Sequence, residues 1–435
     1  MSSARSKVLC VFGTRPEAIK IAPVIRALEA RPDRFEVRVC VTGQHREMLD
    51  QMLDLFEIRP DHDLDIMRDG QSLTDVNVGV LQGLARILEA ERPEWVLVQG
   101  DTTTTMAASL AAFYAGVRIG HVEAGLRTWN MNEPRPEEMN RRVVAVLAEL
   151  HFAPTELAAA NLRSEGIPAD RISVTGNTVI DAFKAVSSLP FEIAGSGLEA
   201  LSVDARPVAL VTVHRRENHG PAVEEICAGL QAIARNSEGV HLVVPVHLNP
   251  NIRQPVESAL GGLDNVTLVE PLDYRSTVWL LERCHFVITD SGGLQEEATG
   301  VGKPVLILRE STERTEGVDA GTARLVGCDR SEIAWWATRL FHDERTYTAM
   351  AHATSPYGDG HAAERIVALL ENTENGNPEV AADLLRRLQS DWRRGDPLER
   401  DTIGLPWEVA VDGFRRRQAG RRRGDPLERG TISLR

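Results

Sequence analysis

The sequence predicts an α/β protein built as two Rossmann-like domains facing a cleft, and three observations predict it. Short β-branched runs alternate with longer segments of helical period along most of the chain. The strand-like runs are apolar throughout rather than alternating, as in parallel sheets covered on both faces. The 435 residues exceed what one hydrophobic core ordinarily serves, and 43% hydrophobic with 26% charged residues is a soluble globular composition.

Taken in order, residues 7–12 read as a buried strand and 16–29 as a helix. Pro16 falls in the first helical turn, where its missing N–H is no loss. Residues 36–42 form the next strand, followed by a helix from about 47. A strand at 95–99 leads to a helix at 103–115, and a strand at 118–123 to a helix at 136–150. Residues 171–175 are short and extended. The second half repeats the theme, with strands at 208–213, 241–245, 266–269, 286–289 and 304–308. Its helices lie at 221–236, 277–283 and 294–299. A weak link at 189–207 separates the halves, and the expected domains are 1–175 and 176–360. Beyond residue 372 the breaker Asn375-Gly376-Asn377-Pro378 opens a different segment. There RRGDPLERDTI at 393–403 recurs as RRGDPLERGTI at 422–432, and 11 arginines stand against 7 acidic residues over 393–435. The expectation for 373–435 is a basic, flexible or partly helical extension.

A net charge of −14 argues against nucleic acid and anionic membranes as partners, but not against a small anionic ligand held by a few local donors. Cys10, Cys40, Cys227, Cys284 and Cys328 are scattered and odd in number, which points to a reducing, cytoplasmic setting without disulfides. No run approaches the ~20 apolar residues of a membrane span. The apolar run at 8–12 is strand length, too short for a signal peptide. Neither G-x-x-x-x-G-K-[ST] nor a G-x-G-x-x-G after the first strand is present, which weakens P-loop and dinucleotide readings. No cluster has metal-ligand spacing, so neither metal nor cofactor is expected.

The chemistry concentrates at predicted strand ends, where ligands of such folds bind. After the strand at 286–289, Ser291-Gly292-Gly293 turns into a helix whose N-terminus suits a diphosphate, and Glu297 lies within reach of a ribose diol. Gly13-Thr14-Arg15-Pro16-Glu17 suggests the same geometry in the first half, with Arg15 and Lys20 near the helix start. Asp101 and Glu123 stand at two neighbouring strand ends. Asp101 reads equally as a helix cap. Glu137 and Glu138 open a helix, where acids also serve the helix dipole. His214 ends a strand and is followed by Arg215.

The ordered set VFGTRPEAIK, VTGQHREMLDQ, GDTTTTMAASLAAFY, HVEAGLRT, PEEMNR, TGNTVIDA, VHRREN, TDSGGLQEEA and SPYGDG closely resembles the non-hydrolysing UDP-N-acetylglucosamine 2-epimerases, over about residues 7–370. The resemblance implies a glycosyltransferase-B-like fold in which a helix at 361–372 crosses back to the first domain. It further implies a homodimer, no metal and no cofactor. UDP would be held by Arg15, Lys20, His214, Ser291, Gly292, Gly293 and Glu297, with Arg141 and Arg314 in the substrate site. Asp101, Glu123 and Glu137 would supply the catalytic acids, with His214 near the chemistry.

The implied reaction eliminates UDP from UDP-N-acetylglucosamine across C1–C2 and adds it back with the proton on the other face, supplying cell-envelope polysaccharides. Many members are activated by a second substrate molecule. Of that pocket, Gln44, Gln71, Glu137, Arg215 and His247 match, whereas Glu47 and Gly70 depart from the family pattern. Thr277, Arg135 and Thr315 also depart from it. A UDP-sugar glycosyltransferase, a hydrolysing epimerase and a non-catalytic nucleotide-sugar sensor are the competing readings.

Overall fold

The structure, a computed structural model, describes residues 5–43, 46–68, 70–199, 201, 206–237 and 239–374. The expected extension beyond residue 374 and Gln44 lie outside the described residues. The first sheet comprises β1 (Ser6–Phe12), β2 (Phe35–Val41), β3 (His62–Asp63), β4 (Trp95–Gln99), β5 (Arg118–Val122), β6 (Leu150–Ala153) and β7 (Ile172–Val174). The second comprises β8 (Val208–Thr212), β9 (His241–Pro245), β10 (Val266–Val269), β11 (Phe286–Thr289), β12 (Val305–Ile307) and β13 (Ala323–Leu325). Their orders are β3-β2-β1-β4-β5-β6-β7 and β10-β9-β8-β11-β12-β13, with parallel pairing throughout.

The apolar strands explain themselves once helices cover both faces. Successive side chains of β1 point to opposite faces. Val8, Cys10 and Phe12 join Ile21, Ile25 and Leu28 of the helix Arg15–Glu29. Leu9 and Val11 join Val80 and Leu84 of the helix Leu73–Glu91 on the other face. In the second sheet, Ala209 and Val211 pack with Ile226 and Leu230 of the helix Pro221–Asn236. Val208 and Leu210 belong instead to the cluster that holds Val8 and Phe12. That cluster runs between the sheets through Ile180 and Phe183 of the helix Thr178–Ser187, so the two sheets share one buried core. No helix among the described residues is long and apolar enough to cross a membrane.

One expected element changes. The helix expected over 136–150 ends at Leu147; Ala148 is extended and Glu149 donates its N–H to Ile119 of β5. The apolar run there belongs partly to a helix and partly to β6, and periodicity alone does not divide such a run. The helix Leu73–Glu91 was not anticipated, although Ser72 and Asp75 form a capping box at its start.

The chain passes between the sheets twice, and the two crossings touch. Asn177 donates its backbone N–H to the Tyr357 carbonyl at 2.7 Å. Gly176 and Gly358 meet there with φ of +90° and +118°. A Cβ on Gly358 would lie 3.2 Å from the Gly176 Cα. The helix Ala362–Glu374 then packs against Arg15–Glu29 and Thr178–Ser187. Glu371 pairs with Arg31 and, at 3.1 Å, with Arg34. Asp181 accepts the Ala363 N–H at 2.8 Å at that helix's start, and the buried Arg365 reaches the Thr175 carbonyl and Asp359. Gly358→Ala forces a side chain into the left-handed region against backbone. It is expected to destabilise the protein by about 1–3 kcal/mol, read as a lowered midpoint in thermal denaturation.

Candidate active site

In each sheet the strand order reverses once, between β1 and β4 and between β8 and β11. The crevice outside such a point is where open parallel sheets bind ligands. The residues that leave these four strands are Gly13–Arg15, Gly100–Asp101, Val213–His214 and Asp290–Gly292. Glu123 follows β5, next to β4.

Glu123 is buried, with a left-handed backbone at φ +65°. Its Oε1 accepts from Lys20 and, at 3.1 Å, from Asn177; its Oε2 accepts from Gln99. Lys20 also donates to Glu296 of the second domain at 3.1 Å, and Arg314 Nε donates to the other Glu296 oxygen at 2.8 Å. Burial opposes the charge on Lys20, but Glu123 and Glu296 more than offset it, and the ammonium is held above its ordinary pKa. Burial likewise opposes the Arg314 charge and is overcome by Glu296 and Glu313.

Asp101 is not a helix cap. Thr102 takes that position, accepting the Thr105 N–H at 3.1 Å. This frees the Asp101 carboxylate to receive Arg141, whose Nε donates at 3.1 Å. Of the adjacent acids on the helix Glu137–Leu147, Glu138 turns inward to Arg141 and to the backbone N–H groups of Thr128 and Trp129. Glu137 keeps a buried carboxylate oxygen with no hydrogen-bond partner among the described residues.

The Gly13–Arg15 turn corrects the sequence reading. It resembles the Ser291 turn in outline, but the N–H groups of Gly13 and Thr14 are taken within the protein. Glu17 Oε2 takes the N–H of Gly13 at 3.0 Å and of Thr14 at 2.7 Å. Its Oε1 takes the hydroxyls of Thr102 and Thr105. Arg15 instead lies close enough to Tyr274 and Glu297 for its charge to act on both.

Across the cleft, Ser291 caps the helix Gly292–Gly300 without using its hydroxyl on that helix. A Cβ on Gly292 would lie 2.6 Å from the Arg314 guanidinium, so the glycine lets Arg314 lie against the turn. The same atom on Gly293 would meet open space. His214 Nδ1 stands 2.7 Å from Asp290 Oδ1. Asp290 Oδ2 accepts the N–H groups of His214 and Arg215 and the Asn218 amide, each at 2.9 Å. Burial pushes the Asp290 carboxyl up, but the His214 contact and these donors hold it below its ordinary value. The His247 ring lies 6.1 Å from that of His214, whereas Gln71 binds the Arg68 N–H on an exposed loop.

Asp290, Glu296, Gln99, Asn177 and Tyr274 were not singled out from the sequence. Only Asp290 carried a local signal, as the acid at a strand end before Ser291-Gly292-Gly293.

Residues 26–371 match the family described as UDP-N-acetylglucosamine 2-epimerase. The UDP-N-acetylglucosamine 2-epimerase of Escherichia coli (strain K12) is 52% identical over 373 residues, covering 84% of this chain and 98% of that protein. That of Yersinia pestis is 52% identical over 371 residues, with the same coverage. The crystal structure of UDP-GlcNAc 2-epimerase from Neisseria meningitidis bound to UDP-GlcNAc superposes with a TM-score of 0.77 at 48% identity. It covers 84% of this chain and 99% of that one.

Burial, opposed by the 2.8 Å hydrogen bond from Tyr274, pushes the Glu297 carboxyl from 4.5 to about 7. Between those values the unfolded chain has lost this proton and the folded chain keeps it. Raising the pH through this window therefore favours unfolding. Glu297→Gln is expected to flatten the decline in stability between about pH 4.5 and about pH 7, measured by denaturant titration across that range.

Proposed function

The chain belongs to the UDP-N-acetylglucosamine 2-epimerase family, and from that premise we propose that it interconverts UDP-N-acetylglucosamine and UDP-N-acetylmannosamine without hydrolysis. The reading is supported above all by the chain of contacts from Glu123 through Lys20 to Glu296, on the helix that the Ser291–Gly293 turn opens, with Asp101 held by Arg141 at the neighbouring strand end.

The C2 proton of this sugar is not next to a carbonyl, so simple removal and return is prohibitive. In the proposed path a carboxylate takes the C2 proton while the C1–O bond breaks and UDP leaves with the bonding pair. A proton then arrives on the opposite face of C2 as the UDP oxygen re-forms the bond to C1. Atoms balance, and no water is consumed. Asp101, Glu123 and Glu137 are the proton-transfer groups, a role that typically contributes about 10²–10⁴-fold.

The free N–H groups at the start of the helix Gly292–Gly300, with Ser291, Gly293, Arg15 and His214, would stabilise the departing diphosphate. Asp290 fixes which His214 nitrogen faces the cleft. Glu297 would hold the ribose, and Arg314 and Arg141 order the acids around them. A second nucleotide-sugar beside the first, near Arg215 and His247, is the regulatory reading.

We further propose a cytoplasmic homodimer that supplies envelope polysaccharide. Exposed Phe113, Tyr114 and Val146 on two packed helices support pairing through that face. Proton NMR with UDP-N-acetylglucosamine in D₂O tests the reaction. The expected product is UDP-N-acetylmannosamine deuterated at C2, with no free sugar; accumulation of free N-acetylmannosamine and UDP overturns the non-hydrolysing path. Asp101→Asn is expected to lose about 10²-fold or more in turnover with the fold intact.

A further inference from the structure

Asn177 stands at the first crossing between the sheets, 2% exposed. Its polar groups reach in three directions. The backbone N–H donates to the Tyr357 carbonyl on the return crossing at 2.7 Å. The side-chain Oδ1 accepts the Val179 N–H at 3.1 Å and caps the helix Thr178–Ser187. The Nδ2 group donates to Glu123 Oε1 at 3.1 Å.

Glu123 needs this attention. A non-glycine residue at φ +65° holds a strained backbone conformation, which persists only where its surroundings fix it. Three donors do so, from three places: Lys20 on the helix Arg15–Glu29, Gln99 at the end of β4, and Asn177. Only Asn177 sits where the chain leaves one domain for the other, bonded to the strand of chain that returns. Tyr357 in turn reaches the Arg314 carbonyl with its hydroxyl at 3.3 Å.

We propose that Asn177 is a positioning residue for the reaction. It aims the Glu123 carboxylate and couples that aim to the pairing of the two crossings. Glu123 then takes its working orientation when the domains hold the angle at which Asn177 and Tyr357 are bonded. The inference rests on the reading of Glu123 as a proton-transfer group.

The cap and the amide donor are separable. Asn177→Asp keeps a capping oxygen, since Asn and Asp cap equally well, and replaces the donor with an acceptor. Asn177→Ser keeps a shorter capping oxygen and removes the donor without adding charge. Both full-length variants, with Glu123→Gln as a control, are assayed for kcat, KM for UDP-N-acetylglucosamine, the pH dependence of kcat, and melting temperature. The charged groups around Glu123 are Lys20, Glu296 and Arg314, and none is altered.

The expected result is a wild-type melting temperature and KM with kcat lowered by about 10²-fold. The acid limb of the kcat profile should also move to higher pH in Asn177→Asp, because a donor to the charged carboxylate has become a second carboxylate. Wild-type kcat and pH profile in both variants, with Glu123→Gln inactive, would show that Asn177 is a helix cap only. A fall in kcat matched by a collapsed melting temperature in both variants assigns it to the fold alone, and equally overturns the proposal. Full activity of Glu123→Gln removes the underlying reading and the inference with it.

Discussion

One buried ammonium organises this molecule. Lys20 lies in a cleft between domains, 8% exposed, with Glu123 of one domain and Glu296 of the other on its nitrogen. Removing an ammonium from water costs several kcal/mol, and the surroundings must return it. They do so with two carboxylates, and Arg314 answers the second oxygen of Glu296. Separating the domains at this point breaks the Lys20–Glu296 contact, leaving the ammonium with Glu123 alone and Glu296 with Arg314 alone. The observed domain arrangement is therefore favoured by groups of the proposed site.

The same principle of paired charges holds for the other polar groups buried at the strand ends. Lys20 and Gln99 reach Glu123, Arg141 reaches Asp101, and Tyr274 reaches Glu297. Each carboxylate is oriented before a substrate arrives, which is the condition under which fixed charges stabilise a transition state most. Glu137 has one buried oxygen without a hydrogen-bond partner among the described residues. The shared core around Ile180 and Phe183 frames these contacts, and the two crossings meet closely at Gly176 and Gly358.

How much of this was legible follows from distance along the chain. Strands such as β1, β4 and β11 were read correctly because their apolar runs record burial on two faces locally. The Ser291-Gly292-Gly293 turn was visible for the same reason, though its first glycine makes room for Arg314 rather than for a ligand. Glu296 was invisible because its partner, Lys20, lies 276 residues away. Asn177 was not singled out for the same reason, since its amide meets Glu123, 54 residues distant. The Gly13–Arg15 turn was misread because Glu17, which closes it, resembles any first-turn acid.

The most direct test of the Lys20 clamp is a double-mutant cycle on kcat/KM for the interconversion, using Lys20→Met, Glu296→Gln and the pair. The account predicts strong non-additivity, with the double variant losing less than the sum of the singles by more than about 1 kcal/mol. Effects that add to within about 0.5 kcal/mol would mean that the two residues act independently. That result would contradict a single charge joining the domains to the chemistry.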